Sequence, residues 1–297
     1  MIILICQMIS SFTLDSSFFR NSIIGFSCSM GAKIMERTEG RNKPMNGNRF
    51  IYFQLTLSIL ILLTVLPGFV LADVFIKQEI RTEPVYHHGN VEAGSTSVIE
   101  FWIGEGKLAY KEGTTGLIVD QAAGKAFFLN HGTKTFAETV LPFQLENIAD
   151  AEFAQRLKMF RMQGAIKPLD KEKKIKDLIC KMMEISTWYN YEGVRYYETI
   201  SEACLATALP FDYKSARGLL KEIQSLNNFD EGINKEMLAL EGFLIESTST
   251  RYMEGTPFPS KLETVEMAVK EPPQGTYAIP EGFTKKEKLS RDEVMGR

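Results

Sequence analysis

The chain has 297 residues, with 34 Lys+Arg against 37 Asp+Glu, four cysteines and three histidines. The first 72 residues hold 6 of the basic and 3 of the acidic side chains, so residues 73–297 carry 28 and 34, a formal charge of −6. That mild acidity argues against a nucleic-acid partner, which needs a basic stripe to displace counterions, and about 225 residues suffice for one domain that buries roughly 70% of its unfolded surface.

In chain order, residues 1–49 form an upstream extension. Either the start is mis-assigned, with Met45 opening the compact sequence Met-Asn-Gly-Asn-Arg, or the stretch is a cytoplasmic tail. Phe50–Leu66 is apolar, and no charge occurs between Arg49 and Asp73. Pro67-Gly68 breaks the helix, and Val70 and Ala72 supply the small or aliphatic residues of a cleavage site. This is the order of a cleavable export signal over 50–72, which places the mature protein in the periplasm or outside the cell. The alternative is a membrane anchor retained through the uncleaved segment. Its 17 residues, apolar but for Gln54, Thr56, Ser58 and Thr64, reach about 26 Å as a helix, short for a bilayer core of about 30 Å. After cleavage no stable membrane span is expected.

The mature chain, 73–288, reads as one β-rich domain. Val74–Arg81 alternates weakly. Thr96–Ile103 puts Ile99, Phe101 and Ile103 on one face and Val98, Glu100 and Trp102 on the other. Lys107–Lys111, Gly116–Asp120, Lys125–Leu129 and Thr135–Thr139 continue a meander. Asp120 and Lys125 face each other across the turn between them, a favourable cross-strand pair. Leu145, Ala149, Phe153, Leu157 and Phe160 then make a helical stripe, although Asp150 can cap a shorter helix beginning there. Lys171, Lys173 and Lys174 read as a solvated turn.

Ile175–Thr187 and Val194–Ala208 read as two long strands. Asp212 caps a helix with Ala216, Leu219, Leu220, Ile223 and Leu226 on its apolar face. Asn234–Leu240 is a further helical turn or two. Phe243–Met253 and Lys261–Lys270 are a last strand pair, and 289–297 is expected to fray. Antiparallel strands with a few amphipathic helices imply an α+β fold, a curved antiparallel sheet with helices on one face.

No catalytic constellation, nucleotide loop or metal cluster emerges, so no enzyme activity, cofactor or metal is expected. His87 and His88 are adjacent and point to opposite faces on a strand. Only together with His131 and a carboxylate would they suggest a metal site, and Gly89-Asn90 supports a plain polar loop instead. Cys180 alternates with Leu178 and Met182 as on a strand face, which does not mark an activated thiol. Residues 73–297 hold eight methionines, side chains suited to adaptable apolar surfaces. Ile99, Phe101, Ile103, Phe128, Phe153, Leu157 and Phe160 are the candidates to line an apolar cavity, the alternative being plain core filling.

Gly106-Lys107-Leu108-Ala109-Tyr110, Gly116-Leu117-Ile118-Val119-Asp120, Lys125-Ala126-Phe127-Phe128-Leu129-Asn130-His131, Lys134-Thr135-Phe136 with Glu138, and Leu141-Pro142 form an ordered set. With Leu209-Pro210-Phe211-Asp212-Tyr213 and Ile279-Pro280-Glu281-Gly282-Phe283, this set resembles bacterial exported proteins of the domain-of-unknown-function family 4412. The resemblance implies the periplasmic lipoprotein-carrier fold, a half-open β-barrel with helices against its concave side. It implies a non-enzymatic binding protein whose partner is an apolar small molecule, lipid or lipoprotein acyl chain. It also favours a structural role for His131. The rival readings are an envelope interaction module that holds no ligand and a secreted hydrolase.

Register bears on the cysteines. A hairpin symmetric about residue 192 places Cys180 opposite Cys204, Met182 opposite Glu202 and Trp188 opposite Tyr196, so an exported chain forms a disulfide there. The alternative is two buried thiols that never meet. For the export signal, N-terminal sequencing of the exported protein is expected to read from Asp73, and a chain that keeps Phe50–Leu71 would contradict the cleavage site.

Overall fold

A computed structural model describes residues 73–191 and 194–296; the upstream extension and the expected export signal lie outside the described residues. Strand β1 (Asp73–Thr82) is followed by a short hairpin, β2 (Val85–His87) and β3 (Asn90–Glu92), which forms a separate two-stranded sheet. A meander follows: β4 (Thr96–Gly104), β5 (Lys107–Glu112), β6 (Thr115–Asp120), β7 (Lys125–Asn130) and β8 (Thr135–Val140). Helix α1 (Ala151–Met159) leads to a second meander of longer strands, β9 (Met162–Ile175), β10 (Leu178–Tyr191) and β11 (Val194–Ala206). Helices α2 (Tyr213–Gln224) and α3 (Glu231–Ala239) interrupt it before β12 (Phe243–Met253) and β13 (Thr256–Lys270). A two-residue strand, β14 (Thr284–Lys285), and helix α4 (Arg291–Val294) end the described chain.

All the long strands join one 12-stranded sheet in the order β14-β8-β7-β6-β5-β4-β1-β13-β12-β11-β10-β9. The order is linear, so the sheet has two edges and is not a closed barrel. Every pairing is antiparallel except that of β14 with β8. The expected alternation holds: Ile99, Phe101 and Ile103 are buried while Val98, Glu100 and Trp102 are half-exposed. Asp120 stands opposite Lys125 as read from the sequence.

Each of the three longer helices starts on an aspartate. The Asp150 carboxylate accepts from Phe153 N at 2.8 Å, Asp212 from Lys214 N at 3.0 Å, and Asp230 from Ile233 N at 3.0 Å. Such caps satisfy amides that have no partner within the helix, and each contributes about 1 kcal/mol. Of the two helices readable around Asp150, the shorter one forms, and Leu145–Asn147 is a separate 3-10 turn. Phe153 and Leu157 of α1, Ala216, Leu219 and Ile223 of α2, and Ile233 and Met237 of α3 join Ile76, Phe101 and Leu117 of the sheet in one apolar core. Gly164 lets α3 sit directly on β9, because a Cβ there would come within 2.6 Å of Ser186 O and 3.0 Å of Ile233.

Three expectations need correction. Lys171, Lys173 and Lys174 lie within β9, and the turn falls at Lys176-Asp177, with Lys176 at φ 54°. β9 is the outermost strand, and its Pro168 and lysines belong to an edge that discourages further pairing. Such composition weakens any strand signal in the sequence.

Cys180 and Cys204 are bonded, with Cα atoms 5.2 Å apart, but not as directly opposed residues. Cys180 pairs with Ala206 and Cys204 with Met182, while Glu202 faces Glu184 and Tyr196 faces Tyr189 across a bulge. The register is slipped by two residues. An even slip keeps both thiols on the same face, so the bond survives on the diagonal.

The C-terminal end is ordered through residue 296. Leu289 is fully buried, its N–H donates to Ile148 O at 2.7 Å, and Ser290 and Glu293 form a reciprocal capping box on α4. Asn130 Nδ2 donates to Glu293 O at 2.6 Å, and Thr135 Oγ1 donates to Glu293 Oε1 at 3.0 Å. Burial works to raise the Glu293 pKa, but hydrogen bonds from Lys286, Ser290 and Thr135 hold it down at about 2. A folded pKa below the unfolded value of about 4.3 means that the stabilisation is complete above pH ~4.3 and is lost as pH falls toward 2. Hydrogen exchange is therefore expected to show 289–296 losing protection over that range before the central strands do. Glu293→Gln should show the same loss at neutral pH.

Candidate functional site

The residues expected to line a cavity lie mostly in the closed core. Ile99 and Phe101 have 0% exposure, so neither borders a space that a water molecule enters. Phe101 lies 5.4 Å from the Tyr110 ring and edge-on at 6.2 Å to Phe243. Phe128 stacks with Phe143 at 6.5 Å. Ile103, Phe153 and Leu157 are buried in the same cluster. Phe160 is the exception: it ends α1 half-buried, and its carbonyl accepts from Asn228 Nδ2 at 2.9 Å. The other six side chains pack in the core.

A groove opens elsewhere, between α2, α3 and the start of β12. Tyr213, Leu220, Met237, Leu240 and Phe243 supply its apolar wall, and Arg217, Lys221 and Gln224 its polar rim. It encloses about 30 Å³ of water-accessible space, room for one or two waters. Phe243 connects the groove to the interior, touching Phe101 on one side and Phe211 at 6.4 Å on the other. Gly242 makes this approach possible. It has φ 104°, and a Cβ there would lie 2.8 Å from Ala206 O.

Arg217 spans the groove. Its guanidinium donates to Leu238 O at 2.5 Å and to Leu240 O at 3.5 Å, tying α2 to the end of α3. Gln224 Nε2 makes a second tie, to Asn234 Oδ1 at 3.1 Å. At the sheet side, Glu222 Oε2 accepts from Phe143 N at 2.6 Å, and burial raises the Glu222 pKa. The two helices therefore form a roof held over the apolar core partly by polar latches.

The remaining candidates separate. Cys180 is tied in the disulfide and is no free nucleophile. His131 lies in the β7–β8 turn, edge-on to Phe283 at 5.3 Å. Burial and nearby Lys111 lower its pKa. It takes no part in the contact between His87 and His88, whose rings lie 3.9 Å apart. They were expected on opposite faces, but His88 adopts φ 49° and leaves the strand alternation.

Leu220 was legible as part of an apolar helical stripe. Arg217 was not, because its acceptors are backbone carbonyls 21 and 23 residues away, and every residue has a carbonyl. No protein-family model and no curated protein matches the chain. Replacing Arg217 with Met should free the end of α3 at a cost of about 1.5–3 kcal/mol, as for a hydrogen bond from a charged group. Amide exchange in α3 is expected to speed up accordingly, while that of β4 and β1 stays unchanged.

Proposed function

We propose that this chain is an exported, non-enzymatic binding protein that receives an amphiphile under the α2–α3 roof. The sheet is read as a half-open barrel curved around its helices, in line with the carrier-like resemblance of the sequence. The observation that carries the reading is the latched groove. An apolar wall leads past Phe243 toward the core, with Arg217 and Lys221 at its mouth.

A lipid or acyl tail would enter there, and a polar or anionic head would meet the two cations. Because the groove is small as it stands, uptake requires the Arg217 latch to open. Apolar surface of ligand and core would then replace the contacts between roof and sheet. A packed interior supports a second reading, a protein-interaction module without a ligand, since Ile99 and Phe101 show no accessible surface.

Native mass spectrometry of protein purified from its own envelope, followed by titration with a fluorescent long-chain fatty acid, separates the two. The carrier reading expects a co-purified amphiphile and one probe bound per chain. It also expects Leu240→Trp, which fills the groove, to weaken the probe about 10-fold, an energy of about 1.4 kcal/mol. A ligand-free preparation that binds no probe would leave the interaction module standing.

A further inference from the structure

Two hairpin turns meet at one end of the long strands. β2 and β3 pair with His87 opposite Asn90, which leaves His88 and Gly89 as the connection. β12 and β13 pair with Met253 opposite Thr256, which leaves Glu254 and Gly255. All four connecting residues have positive φ, 49° and 80° in the first turn and 50° and 81° in the second. Two-residue turns of this type favour Asn, Asp or Gly at the first position, because other side chains crowd the backbone there at a cost of about 1–2 kcal/mol. Here that position holds a histidine in one turn and a glutamate in the other, and the two side chains meet.

His88 Nε2 lies 3.0 Å from Glu254 Oε2. One ligand atom from each of His87, His88 and Glu254 lies within 4.8 Å of the others. His87 is held from behind: its Nδ1 is 3.3 Å from Thr256 Oγ1, and its ring stands edge-on to Phe258 at 5.2 Å. The tautomer that donates Nδ1–H to Thr256 keeps the Nε2 lone pair for a ligand, which is the usual outer support of a metal-binding imidazole.

We propose that His87, His88 and Glu254 bind a divalent transition-metal ion, with zinc as the type. Two imidazoles and one carboxylate are a zinc, nickel or copper donor set, and an all-oxygen ion such as calcium would not select it. A tetrahedral ion about 2.0–2.1 Å from each donor holds the donors about 3.4 Å apart. The His88–Glu254 contact, at 3.0 Å, is already close to this spacing, and rotation of the exposed His88 and Glu254 side chains adjusts the set to it. Three protein ligands leave the fourth position to water or to a donor from a partner. The ion clamps the β2–β3 hairpin, a sheet of its own, onto the β12–β13 turn.

The test uses tag-free protein stripped with chelator, titrated with Zn²⁺ by calorimetry and with Co²⁺ by absorption. One ion per chain is expected, with Co²⁺ bands of low coordination number and a higher melting temperature. His88→Asn and Glu254→Asn each place in the turn a residue that it favours, so the metal-free variants should be at least as stable as the original chain. Each should bind the ion about 10-fold more weakly or worse, and the double variant should show no Co²⁺ bands. Thr256→Val, which removes no ligand, should also lower affinity about 10-fold. Either of two results overturns the proposal: no uptake of Zn²⁺ or Co²⁺ at micromolar concentration, or a double variant that binds as tightly as the original chain.

Discussion

The fold depends on the position of β1. Its ten residues pair with β13 on one side and Val74–Arg81 of them with β4 on the other, so it is the strand through which the two meanders become one sheet. Its inward residues are closed off from solvent: Ile76, Gln78 and Ile80 are 0%, 1% and 5% exposed. Gln78 Nε2 donates to Leu244 O at 2.8 Å and to Thr264 Oγ1 at 3.1 Å, adding a polar tie across the junction. Its partners in β13 lie almost 200 residues further along the chain. Among the strand pairings of the described residues this one closes the longest loop, and such non-local pairing slows folding because its entropy cost precedes its contacts.

The two edges of the sheet are handled by different means. β9 carries Pro168 and a run of lysines. β14 has only two residues and covers the far edge at β8. Across the outward face of the long strands, Lys171 pairs with Glu202 at 2.9 Å, Lys173 with Glu246, and Lys261 with both Glu246 and Glu263. Exposed pairs of this kind each contribute little to stability, but they keep the outer surface wet and opposed to edge-to-edge association. Elsewhere on that surface, the Phe75 and Trp102 rings pack at a tilt of 42° with centroids 4.7 Å apart, and the Lys270 ammonium lies 3.8 Å from the Phe75 ring centre.

The inner face is roofed by helices whose attachment is uneven. α1 and α3 bury Phe153, Leu157, Ile233 and Met237. α2 buries Ala216, Leu219 and Ile223 as well, and the space between α2 and α3 is also bridged by Arg217 and Gln224, which reach backbone and amide oxygens. Apolar contacts resist separation in any direction, whereas a few directional hydrogen bonds can exchange for water at modest net cost. The proposed uptake of an amphiphile relies on such an exchange at this seam.

Local pattern made much of the fold legible. Alternation in Thr96–Ile103 gave the correct buried face. The Asp120–Lys125 pair gave a correct register, and Asp150 and Asp212 marked helix starts, because strand faces, short turns and caps depend on neighbours within a few residues. The bond between Cys180 and Cys204 was also within reach, since an even slip of register preserves the face. Tertiary structure decided the rest. β9 reads as a polar turn until a sheet edge needs such residues. Leu289 and Val294 belong to a fraying tail until Ile148, Asn130 and Thr135 receive that segment. The candidate groove depends on Arg217 finding two carbonyls, and the histidine–glutamate cluster on two turns meeting at φ values that His88 and Glu254 adopt at a cost. Those contacts join residues distant in the chain through groups that every sequence contains, so only the folded arrangement picks them out.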